Sequence, residues 1–213
     1  MAFSLNGTSY IEATSTPVTA EPFTISCWFR APNVTADGAL VSIGNSATTN
    51  RFQLNVNGSV AGDPVSISTV GASTVTVNSV TAFIANTWQH TAAVCTRVAG
   101  TTTLAIYLNG GGKATTTTTV SPVGINNIMI GGRWSGGTRG FFFNGQMSEV
   151  AIWSGALTDD QVISLSKGFA PYLVSSNNLK FYNRCLQRSQ DLSGGRTLTE
   201  VNITNFDHPR IYG

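Results

Sequence analysis

Charged side chains are scarce in this sequence. They account for 10% of its 213 residues, and 12 basic against 10 acidic side chains leave a formal net charge of +2. Domains that bind nucleic acid usually carry a dense basic patch or stripe, whereas no run of Lys or Arg occurs here. We therefore expect no nucleic-acid partner.

Long apolar runs and paired cysteines are lacking as well. No window approaches the ~20 apolar residues of a membrane-spanning helix, and the opening MAFSLNGTSYIE has neither the basic start nor the apolar stretch of a secretory signal. The cysteines Cys27, Cys95 and Cys185 are odd in number and show no short zinc-binding spacing, so we expect them to be reduced and buried. These features predict a protein that folds in the cytosol without membrane insertion.

The sequence instead shows apolar and polar residues that alternate with a period of two, which is typical of strands with one buried face. In the stretch FTISCWF, the side chains of Phe23, Ile25, Cys27 and Phe29 are predicted to point to one side. Turn signals of the Asn-Gly and Asp-Gly type separate such stretches. A chain of this length predicts a single all-β domain, an antiparallel sandwich or barrel. Similar stretches are Arg51–Val56, Ser73–Val80, Trp88–Val94, Thr103–Leu108 and Asn127–Gly132, and a Thr-rich edge strand is predicted over Ala114–Val120.

One short helix is predicted near residues 159–166. Thr158 and Gln161 have the spacing of a capping box, in which each side chain bonds the backbone of the other. The adjacent Asp159 and Asp160 then fall in the first turn, where the helix dipole favours negative charge by ~0.3 to 1 kcal/mol each. This structural role explains the acidic pair better than catalysis does. The buried side and the end of the helix are predicted at Val162, Leu165 and Lys167-Gly168.

Five short motifs occur in an order that is typical of one fold family. They are an opening strand, a strand around Trp28, a Trp-x-His strand, a Tyr-x-Asn-Gly strand and a closing strand that leads into the short helix. Their positions are Leu5–Ile11, Phe23–Phe29, Trp88–Ala92, Leu104–Gly110 and Phe143–Thr158. In this order they resemble a laminin-G-like domain of the concanavalin A-like lectin/glucanase superfamily, of the kind found in phage virion proteins.

The resemblance implies an all-β, two-sheet antiparallel jelly-roll sandwich over residues 1–168. Residues 169–213 lie beyond the core of the family and resemble the tails of such domains in phage-like proteins. This C-terminal extension holds Phe181, Leu186, Leu192 and Ile203, which are too many apolar residues for a free linker. We expect it to pack on the sandwich or on a neighbouring subunit.

The carboxylates and histidines form no catalytic pattern. Glycoside hydrolysis normally needs two carboxylates ~5 to 9.5 Å apart, and the Glu-x-Asp-x-Glu strand motif of laminarinase-like members of the superfamily does not occur. His90 shares its strand face with small apolar residues, which favours a packed, hydrogen-bonded core histidine. His208 has no evident partner in the sequence. We therefore predict no catalytic residues and no enzymatic activity.

Calcium is the one cofactor that the resemblance suggests, because laminin-G-like domains frequently bind it. A calcium ion takes about six to eight oxygen ligands, often from several carboxylates. Asp37 and Asp63 lie in predicted loops and could contribute to a sparse calcium site, but ordinary turn formation at Asp37-Gly38 and Asp63-Pro64 is the better explanation. We predict no metal site and no cofactor.

Candidate binding residues cluster in the stretch RWSGGTRG, residues 133–140. Its Trp134 is predicted to lie in a Gly-rich loop between two strands. A tryptophan flanked by arginines can stack on a sugar face or anchor a protein interface. The alternative is a tryptophan folded onto the edge of the sandwich. We take Arg133, Trp134 and Arg139 as the candidate ligand or interface residues.

Two functions are consistent with these features. The main prediction is a non-enzymatic virion structural module, a capsid decoration (cement) protein or a fibre or adhesin domain, which acts through protein-protein contacts. Its partners would be other virion proteins such as a major capsid protein and further copies of itself as a homo-oligomer. Such a protein would be assembled in the host cytoplasm and reside in the virion. The alternative is a lectin-like glycan-binding module whose partner is a surface glycan.

Overall fold

The computed structural model describes residues 2–186 and 190–207 of the chain. These residues form two large antiparallel sheets, a separate two-stranded hairpin and two short helices. The predicted all-β, two-sheet antiparallel sandwich is thereby confirmed. His208 lies outside the described residues.

The first large sheet has eight strands, numbered here in chain order. They are β1 (Ala2–Asn6), β3 (Phe23–Arg30), β8 (Gln89–Val98), β9 (Thr101–Leu108), β10 (Gly111–Thr118), β14 (Asn144–Trp153), β15 (Leu179–Asn183) and β17 (Thr204–Phe206). Their order is β10-β9-β8-β3-β14-β1-β17, and β15 pairs with β14 beside this path. The Thr-rich strand β10 lies at an edge, as predicted from its sequence.

The second large sheet has seven strands. They are β2 (Tyr10–Ala13), β4 (Asp37–Gly44), β5 (Arg51–Asn57), β6 (Pro64–Val70), β7 (Thr74–Ala82), β11 (Asn127–Ile130) and β16 (Thr199–Val201). Their order is β16-β2-β11-β4-β5-β6-β7. The hairpin consists of β12 (Arg133–Ser135) and β13 (Thr138–Gly140).

The core lies between the two large sheets, and alternation along the strands decides which side chains enter it. The side chains of β3 that were predicted to share one side, from Phe23 to Phe29, are all fully buried. From the other sheet, Phe52 meets Phe23 edge to face with ring centroids 4.7 Å apart. Burying each side chain of this size contributes about 1.5–3 kcal/mol. The two facing sets of side chains therefore hold the sandwich together.

The residues after 168 add strands to both sheets. Strand β15 pairs with β14, β17 pairs with β1, and β16 pairs with β2 in the other sheet. Phe181 on β15 is fully buried in the core. The C-terminal residues thus contribute backbone pairing and core side chains to the same sandwich.

The predicted helix forms as α1 (Asp159–Ser166), with its capping box complete. The Thr158 hydroxyl accepts the Gln161 N–H at 3.3 Å, and the Gln161 side chain accepts the Thr158 N–H at 2.9 Å. Asp159 accepts hydrogen bonds from the Tyr107 hydroxyl at 2.7 Å and the Lys113 amine at 3.0 Å, which is a structural role. A second helix, α2 (Pro171–Val174), was not predicted; Pro171 begins it because proline fixes the backbone φ of a first helical turn.

The cysteines bear out a further expectation. Cys27, Cys95 and Cys185 are free and buried, as predicted. Burial raises the pKa of the Cys27 thiol far above its usual range, which keeps the thiol protonated. Within residues 2–186 and 190–207, neither helix has the length and apolar character needed to cross a membrane.

Candidate functional site

A polar groove of about 170 Å³ lies on the outer face of the seven-stranded sheet, next to the β12-β13 hairpin. It exists because alternation along β5 sends Phe52, Leu54 and Val56 into the core and the intervening polar side chains outward. Those polar side chains form a row along the floor of the groove. The lining residues are Arg51, Gln53, Asn55, Asn57, Ser68, Val70, Thr74, Arg133 and Phe141.

Hydrogen bonds fix the side chains of the floor in place. The Gln53 Oε1 accepts from the Arg51 Nε at 2.7 Å and from the Arg133 Nη1 at 3.1 Å. The Gln53 amide nitrogen in turn donates to the Asn55 Oδ1. At the far end, the Asn57 Nδ2 donates to the Ser66 Oγ at 2.7 Å. The groove is therefore organised before any ligand arrives, which lowers the entropic cost of binding.

The hairpin is held against the sheet by one carboxylate. Glu12, on strand β2, accepts two hydrogen bonds from Arg139, at 2.9 and 2.6 Å, and one from the Trp134 indole N–H at 3.1 Å. The Arg139 guanidinium also stacks on the Trp134 ring, 4.1 Å from its centroid. These contacts bring the β12 end of the hairpin, with Arg133, to the groove.

The tip of the hairpin is held by backbone bonds. The Gly136 N–H donates to the Thr48 carbonyl at 3.0 Å, and the Gly137 N–H donates to the Ser46 carbonyl at 3.1 Å. Both glycines have positive φ values, 59° and 83°, which the tight turn between β12 and β13 requires. The hairpin is thus anchored at two places and forms a rigid wall of the groove.

Two arginines give the groove its positive charge. Burial, together with the smaller effect of the nearby charge of Arg133, lowers the pKa of Arg51 to about 10. Burial likewise lowers the pKa of Arg133. No Asp or Glu is among the lining residues. Both guanidinium groups stay protonated at neutral pH, so the groove carries two positive charges.

An aromatic ring closes one side of the groove. The Arg133 guanidinium lies over the Phe141 ring, 4.5 Å from its centroid. Phe141 is half-buried, so part of its ring remains accessible beside the polar floor. The groove therefore combines amide and guanidinium donors with an apolar wall, which is the chemistry that sugars require.

The three residues predicted from the sequence have different positions. Arg133 lines the groove, whereas Trp134 and Arg139 contact each other and Glu12 at the base of the hairpin. The predicted Gly-rich loop is a two-stranded hairpin, because Arg133, Trp134 and Ser135 pair with the residues from Thr138 to Gly140. Whether the three residues bind a ligand or an interface stays a prediction.

The floor of the groove was missed by the sequence analysis, although a signal was present. Strand β5 was predicted from its alternation of apolar and polar residues, without regard to what the polar residues could bind. Its outward residues are all long or amide side chains, Arg51, Gln53, Asn55 and Asn57. Arg51, Gln53 and Asn55 are buried despite their outward direction, and the hairpin that contacts this row through Arg133 lies about 80 residues away in the sequence.

His90 is a core residue, as predicted. It is buried, and its Nε2 lies 2.8 Å from the Ser26 Oγ. Burial lowers its pKa to about 3, which makes it a poor base at neutral pH. Within the part of the chain that the structure describes, its Nδ1 has no hydrogen-bond partner. Its position is that of a packed core side chain.

Asp63 lies in a loop, as predicted, whereas the loop and turn predicted at Asp37-Gly38 are wrong, because these two residues begin strand β4 and pair with Asn57 and Val56 of β5. The Asp37 Oδ1 accepts the Ser59 N–H at 3.1 Å, and the Asp63 N–H donates to the Val60 carbonyl at 3.0 Å. No group of three or more His, Cys, Asp or Glu side chains that could hold a metal ion occurs among the described residues. The donors present therefore do not fit a calcium ion.

Comparison with known proteins identifies the family of the chain. A family model of the laminin-G type, described as the concanavalin A-like lectin/glucanases superfamily, matches residues 5–163, which is about three quarters of the chain. Among the curated proteins, none matches the sequence.

Several solved structures share the fold. The CBM40 of the Ruminococcus gnavus IT-sialidase, bound to α2,3-sialyllactose, is 19% identical with a TM-score of 0.64, and the match covers 78% of this chain and 96% of that one. A heptameric SAP-like pentraxin from Limulus polyphemus is 17% identical with a TM-score of 0.64, over 95% and 93% of the two chains. Domain 4 of AbnA, a GH43 extracellular arabinanase from Geobacillus stearothermophilus, in complex with arabinotriose, is 21% identical with a TM-score of 0.62, over 78% and 76%. At these identities the likeness shows the fold alone.

Proposed function

The chain belongs to the laminin-G-like family of the concanavalin A-like lectin/glucanase superfamily, and on that premise we propose that it is a carbohydrate-binding module. Its binding surface is the polar groove on the outer face of the seven-stranded sheet. One observation carries the proposal: a row of amide and guanidinium side chains is held in fixed orientations beneath a rigid hairpin. Such groups pair with the hydroxyl groups of a sugar, which both donate and accept hydrogen bonds.

The similar structures support binding of a sugar. Two of them, the Ruminococcus gnavus CBM40 and domain 4 of AbnA, were solved with oligosaccharides bound. This favours the glycan-binding alternative of the sequence analysis over the virion structural module. Three points stay predictions: the virion structural role, the capsid and homo-oligomer partners, and the location in the virion. Mass spectrometry of purified virus particles would show whether the protein is present in them.

The proposed activity is binding without bond cleavage. Hydrolysis of a glycosidic bond normally needs two carboxylates on either side of the sugar, and the lining of the groove contains neither Asp nor Glu. Glu12, the nearest carboxylate to the hairpin base, already accepts three hydrogen bonds from Arg139 and Trp134. The groove thus has groups that hold a sugar and lacks the acid and nucleophile that would cleave it.

A glycan array followed by calorimetry tests the proposal. We expect the wild-type protein to bind at least one class of glycan, and Asn57→Ala to weaken that binding about 2- to 10-fold, because a single neutral hydrogen bond is lost. Asn178→Ala is the matched control, since Asn178 is exposed and lies outside the groove. Absence of binding to every glycan, or equal binding by wild type and Asn57→Ala, would overturn the assignment.

A further inference from the structure

We propose that the groove selects an anionic glycan, whose carboxylate or sulfate group lies between the guanidinium groups of Arg51 and Arg133. This inference rests on the proposed function and adds to it the charge of the ligand and the two residues that recognise that charge. It is drawn from the position of the two arginines, their surroundings and their unused hydrogen-bond donors.

The two guanidinium groups are forced close together. The Arg51 Nε and the Arg133 Nη1 both donate to the Gln53 Oε1, at 2.7 and 3.1 Å. The two nitrogens therefore lie within 5.8 Å of each other. Gln53 is a neutral side chain, so it orients both cations without compensating either charge.

No carboxylate compensates the pair. The ion pairs among the described residues are Lys113–Asp159, Arg139–Glu12 and Arg196–Asp191, and none of them includes Arg51 or Arg133. Arginines removed from water are ordinarily paired with an acid. Two arginines that lie side by side without an acidic partner create a position where a negative charge is favoured.

Donors for an anion remain available at this position. Arg51 uses its Nε and Nη1, the latter in a bond of 2.8 Å to the Thr49 carbonyl, and Arg133 uses its Nη1. Each guanidinium has five N–H groups, and the described residues accept none from either Nη2 or from the Arg133 Nε. A planar guanidinium matches the two oxygens of a carboxylate or of a sulfate.

The electrostatics agree with the geometry. Burial and mutual repulsion lower the pKa of Arg51 to about 10, and burial lowers the pKa of Arg133. An oxyanion between them would raise both pKa values, because an opposite charge within a few ångströms favours the protonated form. The neighbouring Asn55, Asn57 and Phe141 would then contact the rest of the sugar ring.

A purely structural role for Arg133 is the competing explanation, and it makes a different prediction. In that case the hydrogen bond to Gln53 and the contact with Phe141 would only position the hairpin. Replacing Arg133 would then change the affinity for charged and neutral glycans equally. Charge recognition changes the affinity for the charged glycan alone.

The experiment measures binding of matched pairs of oligosaccharides by calorimetry. The probes are a sialylated and a uronic-acid oligosaccharide, each against its methyl ester, and a sulfated oligosaccharide against its desulfated form. We expect the wild-type protein to prefer the anionic member about 10- to 100-fold, since a hydrogen bond to a charged group is worth about 1.5–3 kcal/mol. The preferred pair identifies carboxylate or sulfate as the group bound.

Three variants complete the test. Arg133→Gln and Arg51→Gln should each abolish most of the preference, and Arg133→Lys should keep only part of it because lysine lacks the planar fork. Arg97→Gln is the matched control: it also removes one positive charge, but from β8 of the other sheet, and should bind as wild type. Equal binding of anionic and neutral members would overturn this inference while leaving the proposed function standing. No binding of any probe or array glycan would overturn both.

Discussion

Arg139 donates two hydrogen bonds to the carboxylate of Glu12, at 2.9 and 2.6 Å, across 127 residues of sequence. The Glu12 side chain is 10% exposed and that of Arg139 is 37% exposed. The pair therefore lies at the border between core and solvent, where it joins the hairpin to strand β2.

Substitution of Glu12 should loosen the hairpin. Glu12→Gln keeps the size of the side chain but removes the charge that holds Arg139, so we expect a loss of about 1–2 kcal/mol in unfolding free energy, reduced by the partial exposure of Arg139. Urea unfolding and amide hydrogen exchange at Trp134 and Gly136 would measure it. Asp159→Asn removes the exposed Lys113–Asp159 pair, with exposures of 44% and 59%, and should cost less. A smaller effect for Glu12→Gln than for Asp159→Asn would contradict the anchoring role.

Trp134 should affect ligand binding through the hairpin. Because its indole N–H binds Glu12 and its ring contacts Arg139, Trp134→Ala should lower stability by about 1–3 kcal/mol and weaken glycan binding at the same time. Trp134→Phe keeps a ring and should have the smaller effect on both. Thermal unfolding and calorimetry on the same samples distinguish the roles. Loss of affinity at unchanged stability would instead indicate direct stacking of Trp134 on the sugar.

Stability should fall in mild acid because of His90. Burial lowers its pKa to about 3 in the folded protein, whereas the unfolded value is about 6.5. Between these values the unfolded chain binds more protons, so the unfolding free energy decreases as pH falls from about 6.5 toward 3. For one such group, the unfolding free energy changes by up to about 1.4 kcal/mol per pH unit. Urea unfolding of wild type and His90→Gln between pH ~7 and ~4 should show a shallower slope for the variant. Parallel slopes would mean that His90 is not held neutral.

The C-terminal strands should be essential for stability. Phe181 is fully buried in the core, so Phe181→Ala should cost about 3–5 kcal/mol. Phe169→Ala makes the same chemical change at a side chain that is 45% exposed, and should cost less than about 1 kcal/mol. Equilibrium unfolding of both variants gives the comparison. Similar costs for the two would show that β15 adds little to the core.

Local patterns in the sequence were sufficient for several core strands and for helix α1, but not for α2 or for the β12-β13 hairpin. The features that were predicted depend on residues close together in the chain, such as the capping box of Thr158 and Gln161 and the alternation in Phe23–Phe29. The sequence alone is therefore enough to predict them.

The groove could not be predicted in this way. It requires hydrogen bonds between residues that are distant in the sequence. Arg133 donates to Gln53, 80 residues away, and Trp134 donates to Glu12, 122 residues away. The order of the strands in the sheets determines which distant residues come into contact. Neither the alternation of residues nor the turn signals predict that order.

The central claim is that the groove floor on β5 binds the glycan, and NMR of the side-chain amides tests it most directly. Sialyllactose and arabinotriose, the oligosaccharides bound by the two similar modules, would be titrated into isotopically labelled protein. We predict that the side-chain amide signals of Gln53, Asn55 and Asn57 and the Nε signals of Arg51 and Arg133 shift with at least one of these sugars. Shifts confined to other surfaces, such as the exposed residues Tyr172 and Leu173 of α2, with the groove signals unchanged, would contradict the account.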